Sequence, residues 1–201
     1  MAVPEILTSL RGRLLGFGPR GRLISGGGAA LVGNRGVVPV VPYTNEAAST
    51  AISNTVTETA FSTSYSIPAG TLSPGQLVRI KWQGIATATN ATDTLAVKVY
   101  IGGITGTLLF THAATDVANN DVFSGEYNLI VRTIGVSGTI AGFGAGKSIP
   151  AAEGTATYKD DILASTTIDT TTAKVIALSA TWSVANAGNS CRLDFLSVEM
   201  A

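Results

Sequence analysis

The chain has one cysteine, two methionines, two tryptophans and one histidine in 201 residues. Cys191 alone allows no intrachain disulfide and no cysteine zinc cluster. With His112 as the other soft ligand, a zinc site would have to be built mostly from carboxylates, which argues against a metal cofactor. Charged residues make up 13% and aromatics 6%. Mean hydropathy is positive, yet no apolar run approaches the ~18–20 residues that span a bilayer. A secretory leader is not predicted, because Glu5 interrupts the start and Arg11 and Arg13 stand where its apolar region would lie. These absences point to a soluble protein made in the cytoplasm, without a membrane partner. Scarce charge and abundant small residues predict a surface covered in large part by other copies or partners.

What is present divides at about residue 45. Residues 1–45 hold five arginines (Arg11, Arg13, Arg20, Arg22 and Arg35) against Glu5, a net +4, and residues 46–201 hold eight basic against twelve acidic residues, a net −4. A net charge of zero therefore hides a basic N-terminal segment on a mildly acidic body. In the segment, Gly18-Pro19-Arg20-Gly21 has type I turn chemistry between two runs of arginine and leucine. Residues 11–25 are predicted to form a small β-hairpin, which would need support from the body or another chain. Gly26-Gly27-Gly28 releases the chain, and Val37 to Pro42 is extended because each proline restricts its predecessor. The domains expected are a docking arm, 1–45, and a body, 46–201.

In the body the period is two. Val78, Ile80 and Trp82 alternate with Arg79, Lys81 and Gln83. Leu95, Val97, Val99 and Ile101 share one parity, as do Phe123, Tyr127, Leu129 and Val131, and Ile176, Leu178, Ala180 and Trp182. Such alternation predicts strands with one buried face. In the last run Cys191, Leu193 and Phe195 have one parity and Leu196, Val198 and Met200 the other, so a bulge near Phe195 would bury both sets. Turn signals at Pro68-Ala69-Gly70, Ser73-Pro74-Gly75, Gly102-Gly103, Asn119-Asn120, Gly135 to Gly138 and Ala187-Gly188-Asn189 separate the runs. The fold class expected is all-β, a two-sheet sandwich of jelly-roll type with eight or nine strands. The 112–120 stretch has room for one short helical turn.

The series Ser66 to Leu72, Gly75 to Gly84, Thr94 to Gly103 and Ala180 to Ser183 resembles jelly-roll virion proteins of tailed bacteriophages. The opening Leu7-Thr8-Ser9 and Gly12 to Gly16 is similar to the starts of small phage structural proteins. The resemblance implies a capsid decoration (cement) protein, or a head- or tail-attached fibre or adaptor, with no catalytic residues. It also implies a homotrimer, located in the virion.

Several stretches suggest chemistry and are better explained otherwise. Gly142 to Ser148 looks like a phosphate loop, but the position five before Gly146 is Ala141 and no helix follows; a glycine-rich strand end and loop is expected instead. His112 with Asp116 or Asp121 and a serine lacks a nucleophile-elbow sequence, and a loop histidine is expected. Asp160-Asp161 has no oxygen-rich loop for calcium and reads as solvated turn acids. Asn90-Ala91-Thr92 is a glycosylation sequon without consequence in a protein lacking a leader. Trp82 and Trp182 share parity with apolar neighbours and are expected in the core. Exposed sugar-stacking candidates are Tyr43, Tyr65, Tyr100 and Tyr158.

The arm is the strongest functional signal. Arg11, Arg13, Arg20 and Arg22, with Leu14, Phe17 and Arg35, are the expected partner-binding residues, since guanidinium keeps its charge and bidentate geometry in partly desolvated interfaces. The expected partner is the major capsid protein or a neighbouring virion subunit. A few arginines without lysines or stacking aromatics, opposed by the acidic body, argue against nucleic acid. The function expected is non-enzymatic capsid decoration, with no cofactor; the alternative is a fibre module that binds a host-surface glycan or protein. A polysaccharide-cleaving tail enzyme lacks a paired-carboxylate constellation.

Overall fold

A computed structural model describes residues 42–90, 92–149 and 156–201. Every regular element among them is a strand: β1 (Tyr43–Thr44), β2 (Ile52–Ser53), β3 (Thr59–Ile67), β4 (Leu77–Thr87), β5 (Thr94–Ile101), β6 (Thr107–Asp116), β7 (Asp121–Thr133), β8 (Gly138–Ile149), β9 (Thr157–Ile168), β10 (Lys174–Trp182) and β11 (Ser190–Met200). No helix among the described residues is long and apolar enough to cross a membrane. The predicted arm hairpin and Arg11, Arg13, Leu14, Phe17, Arg20, Arg22 and Arg35 lie outside the described residues. Tyr43 and Thr44, just inside the predicted end of the arm, already pair with Val198 and Ser197 of β11.

The strands form a sandwich of two antiparallel sheets. One has the order β1-β11-β4-β7-β8-β9 with β2 also on β11; the other has the order β3-β10-β5-β6. If β1/β2 is strand B of a jelly roll, β3 to β7 are C to G, β10 is H and β11 is I. The two sheets then read B-I-D-G and C-H-E-F, the jelly-roll order with its interlocked Greek keys. The β8–β9 hairpin is inserted between G and H and widens the first sheet by two strands. It also shields one open side of the sandwich: the Thr111 amide of edge strand β6 donates to Asp161 Oδ2 of β9 at 3.2 Å.

Alternation explains the core. Val78, Ile80 and Trp82 of β4, Leu95, Val97, Val99 and Ile101 of β5, Phe123, Tyr127, Leu129 and Val131 of β7, and Ile176, Leu178, Ala180 and Trp182 of β10 are all buried. Each such aliphatic side chain contributes roughly 1.5–3 kcal/mol by leaving water. Both tryptophans belong to this core, as their parity predicted. Turn chemistry operates where expected: Gly75, Gly102, Gly103 and Gly135 have positive φ, a region open to glycine without steric cost.

Four local expectations are corrected. The 112–120 stretch forms no helical turn; its first half belongs to β6, because pairing with β5 satisfies more backbone groups than one isolated turn. Gly142 to Ser148 is neither loop nor strand end but the interior of β8. Its glycines alternate on the inward face, where aromatic rings take the space of side chains. A Cβ on Gly142 would lie 2.6 Å from the Tyr127 ring, and one on Gly146 would lie 2.8 Å from the Phe110 ring. Asp160 and Asp161 lie in β9 rather than in a turn. The β11 bulge exists, but the register jumps between Leu193 and Phe195. Asp194 is thus the extra residue, and Phe195 faces outward at 37% exposure while Leu193 and Leu196 are buried.

Candidate functional site

His112 is a buried strand residue, not a loop histidine. Its position in β6, opposite Val97 of β5, turns it into the sandwich. There it lines a void of about 10 Å³ together with Asp121 and Ser148. The three residue types of a hydrolytic triad do meet, but in a space of about one water molecule, sealed from any substrate. Asp116, the other carboxylate weighed with His112, is exposed.

A second polar cluster lies on the outer face of the four-stranded sheet. Glu58 accepts hydrogen bonds from Lys98 Nζ at 2.6 Å, Tyr100 Oη at 2.7 Å and Ser179 Oγ at 2.8 Å. Burial alone would raise the Glu58 carboxyl, but these three donors outweigh it and hold the group below its ordinary value. Lys98 is raised by its bond to Glu58, and Tyr100 is raised by burial and by the same carboxylate. Every donor points at one carboxylate, so the cluster pins the β2–β3 connection onto the sheet and leaves no group directed at a ligand.

The tyrosines separate in the fold. Tyr43 and Tyr65 stack on each other with centroids 4.8 Å apart and pack against the core. Tyr100 is buried, so of the four predicted sugar platforms only Tyr158 is strongly exposed, at 74%. The difference arises because Tyr43, Tyr65 and Tyr100 are covered by sheet neighbours that sequence distance concealed.

Tyr158 belongs to the outer face of the seven-stranded sheet. Register places its residues in rows across the strands. One row is Phe195, Gln83, Ser124, Lys147 and Tyr158; the next is Ser197, Lys81, Glu126, Ala145 and Asp160; the third is Glu199, Arg79, Asn128, Phe143 and Ile162. The β4 side is internally neutralised: Arg79 bonds Glu199 at 2.6 Å and Glu126 at 3.8 Å, and Lys81 lies 3.4 Å from Glu126. The β8–β9 side exposes large apolar side chains, Phe143 at 62% and Ile162 at 79%. A groove of about 410 Å³ runs between them, walled by Gln83, Ser124, Glu126, Lys147, Tyr158 and Phe195. Sequence reasoning missed Phe143, Ile162 and this groove. A signal existed in Ile162, an isoleucine at the same parity as Tyr158 and Asp160.

Among the described residues no group of three or more His, Cys, Asp or Glu side chains is placed to hold a metal. The chain matches no protein-family model and no curated protein. Among solved structures it is similar to a point mutant of the VP2 protein of infectious bursal disease virus from T=1 particles, with TM-score 0.30 and 12% identity over 81% of this chain and 32% of that one. It is also similar to infectious bursal disease virus of the Gt strain, with TM-score 0.30 and 16% identity over the same shares. The chain spans about a third of the length of these virus-particle proteins. At that TM-score the fold assignment rests on the strand order above.

Proposed function

We propose that the chain is a non-enzymatic structural protein of a virion, a capsid decoration or cement protein. Residues 1–45 dock on the major capsid protein or a neighbouring virion subunit through Arg11, Arg13, Leu14, Phe17, Arg20, Arg22 and Arg35. The body assembles with copies of itself, threefold as the resemblance implies, so that weak single-arm attachments add through effective concentration. The observation that supports this reading is the outer sheet face: a jelly-roll body presents a broad, partly apolar surface with Phe143, Tyr158 and Ile162 exposed, the mark of a site that meets macromolecules. The test is co-sedimentation of the full chain, and of the chain lacking residues 1–45, with undecorated heads and with isolated tails from its source. Saturable head binding that is lost on truncation is expected; binding to tails alone, or to neither, would refute the reading.

One observation favours the alternative, a fibre module for a host-surface glycan. The groove carries hydrogen-bonding side chains between two aromatics, Tyr158 and Phe195. A glycan array with the full chain tests it, and binding abolished by Tyr158→Ala would move this reading to the front.

A further inference from the structure

On the outer sheet face Arg79 and Lys81 of β4, Glu126 of β7 and Glu199 of β11 are joined in ion pairs, while two charges on the hairpin stay apart from them. Among the described residues neither Lys147 nor Asp160 has a salt-bridge partner within 4.0 Å. Lys147 is opposite Tyr158 and Asp160 is opposite Ala145. They are therefore diagonal neighbours on one face, with Cα atoms about 7–8 Å apart. Two features of opposite shape flank them. Along the strands lies the ridge of Phe143 and Ile162, which are register partners. Across the strands lies the groove walled by Gln83, Ser124 and Glu126. From strand spacing and rise, the ridge and the groove are each about 10 Å from the midpoint between the two charges.

We propose that this face binds the same face of a second copy about a twofold axis lying in the interface between Lys147 and Asp160. The inference rests on the reading that the body assembles with copies of itself, and it puts a twofold contact where the resemblance implies a threefold one. The operation brings each Lys147 ammonium onto the Asp160 carboxylate of the other copy, twice. It lays Tyr158 near the axis against its equivalent. It also carries each Phe143–Ile162 ridge across β7 into the other copy's groove, above Ser124 and Gln83. A self-complementary patch is what a twofold contact requires. One contact thus accounts for three exposed apolar side chains, a groove and two unmatched charges. A glycan would occupy the groove and leave Phe143 and Ile162 in water.

The experiment is sedimentation equilibrium of the full chain as a function of concentration, with thermal unfolding as a control for folding. A monomer–dimer equilibrium is expected. Ile162→Glu, outward-facing and so harmless to the monomer, should weaken the dimer at least ~30-fold, as for an interface hot spot. Lys147→Asp should weaken it by opposing two like charges, and Lys147→Asp combined with Asp160→Lys should restore it. A monomer at every concentration, or a trimer whose mass Ile162→Glu leaves unchanged, would overturn the proposal. So would a double exchange no tighter than the single one. Head binding by a monomeric chain would sink this inference and leave the decoration reading standing; dimers that ignore heads would do the reverse.

Discussion

Gly144 shows how little room a residue can have in this fold. A Cβ there would collide with the Tyr127 ring and lie 2.6 Å from the Glu126 carbonyl oxygen. Gly144→Val should therefore cost about 3 kcal/mol in urea unfolding, whereas Ala145→Val, one residue on and facing outward, should change stability by less than ~0.5 kcal/mol. Cys191 makes a kinetic prediction. Burial pushes its thiol up to about 12, and the reactive thiolate is then scarce at ordinary pH. Labelling by a thiol reagent at mildly alkaline pH should proceed no faster than the protein opens; fast labelling of the native protein would contradict the burial. At this scale the core was legible, since parity alone placed Trp82 and Trp182. The tyrosines were not, because parity tells which face a ring takes and not what lies over that face. Tyr100 points outward from β5 and is nevertheless buried.

Elements were legible where one face is buried and the other wet. That condition holds for β4 and β7, and the alternation located these together with β5 and β10, whose outer positions Tyr100, Ala177 and Ser179 are also buried. It fails for the inserted hairpin. Between Ile140 and Ser148 the inward positions of β8 are glycines, which leave no apolar trace, and Lys159 and Asp161 of β9 face the edge of β6 while Tyr158 and Ile162 face water. Pattern reading therefore gave a glycine-rich strand end and loop, and turn acids, where two long strands run. The other element-scale device is the Glu58 clamp on the four-stranded sheet. Its carboxyl is held below the ordinary value of 4.5, so the clamp stabilises the fold above the ordinary carboxylate range. That stability is lost as pH falls through the lowered value. On the alkaline side Lys98 and Tyr100 are both raised, and their contribution is lost as pH climbs above about 10. Glu58→Gln should lower the urea midpoint at neutral pH and flatten its acid dependence relative to the parent chain. Equal acid dependence in both proteins would remove Glu58 from the account.

At the scale of the whole molecule, residues 1–45 carry +4 and residues 46–201 carry −4, the charge division on which the proposed attachment relies. A two-sheet sandwich with turns at Gly75, Gly102 and Gly135 could be anticipated from spacing, but the outer face could not. Its rows run across five strands far apart in the chain, from Phe195 through Gln83, Ser124 and Lys147 to Tyr158, and they exist only once the register is set. A subunit that binds the assembled shell, and not its separated parts, stabilises the shell by mass action, increasingly with concentration. The most direct measurement is the temperature at which undecorated heads from the protein's source lose their integrity, titrated with the full chain. The account predicts a rise that follows occupancy and saturates with it, absent for the chain lacking residues 1–45. Saturated heads that fail at the same temperature as bare ones would contradict it.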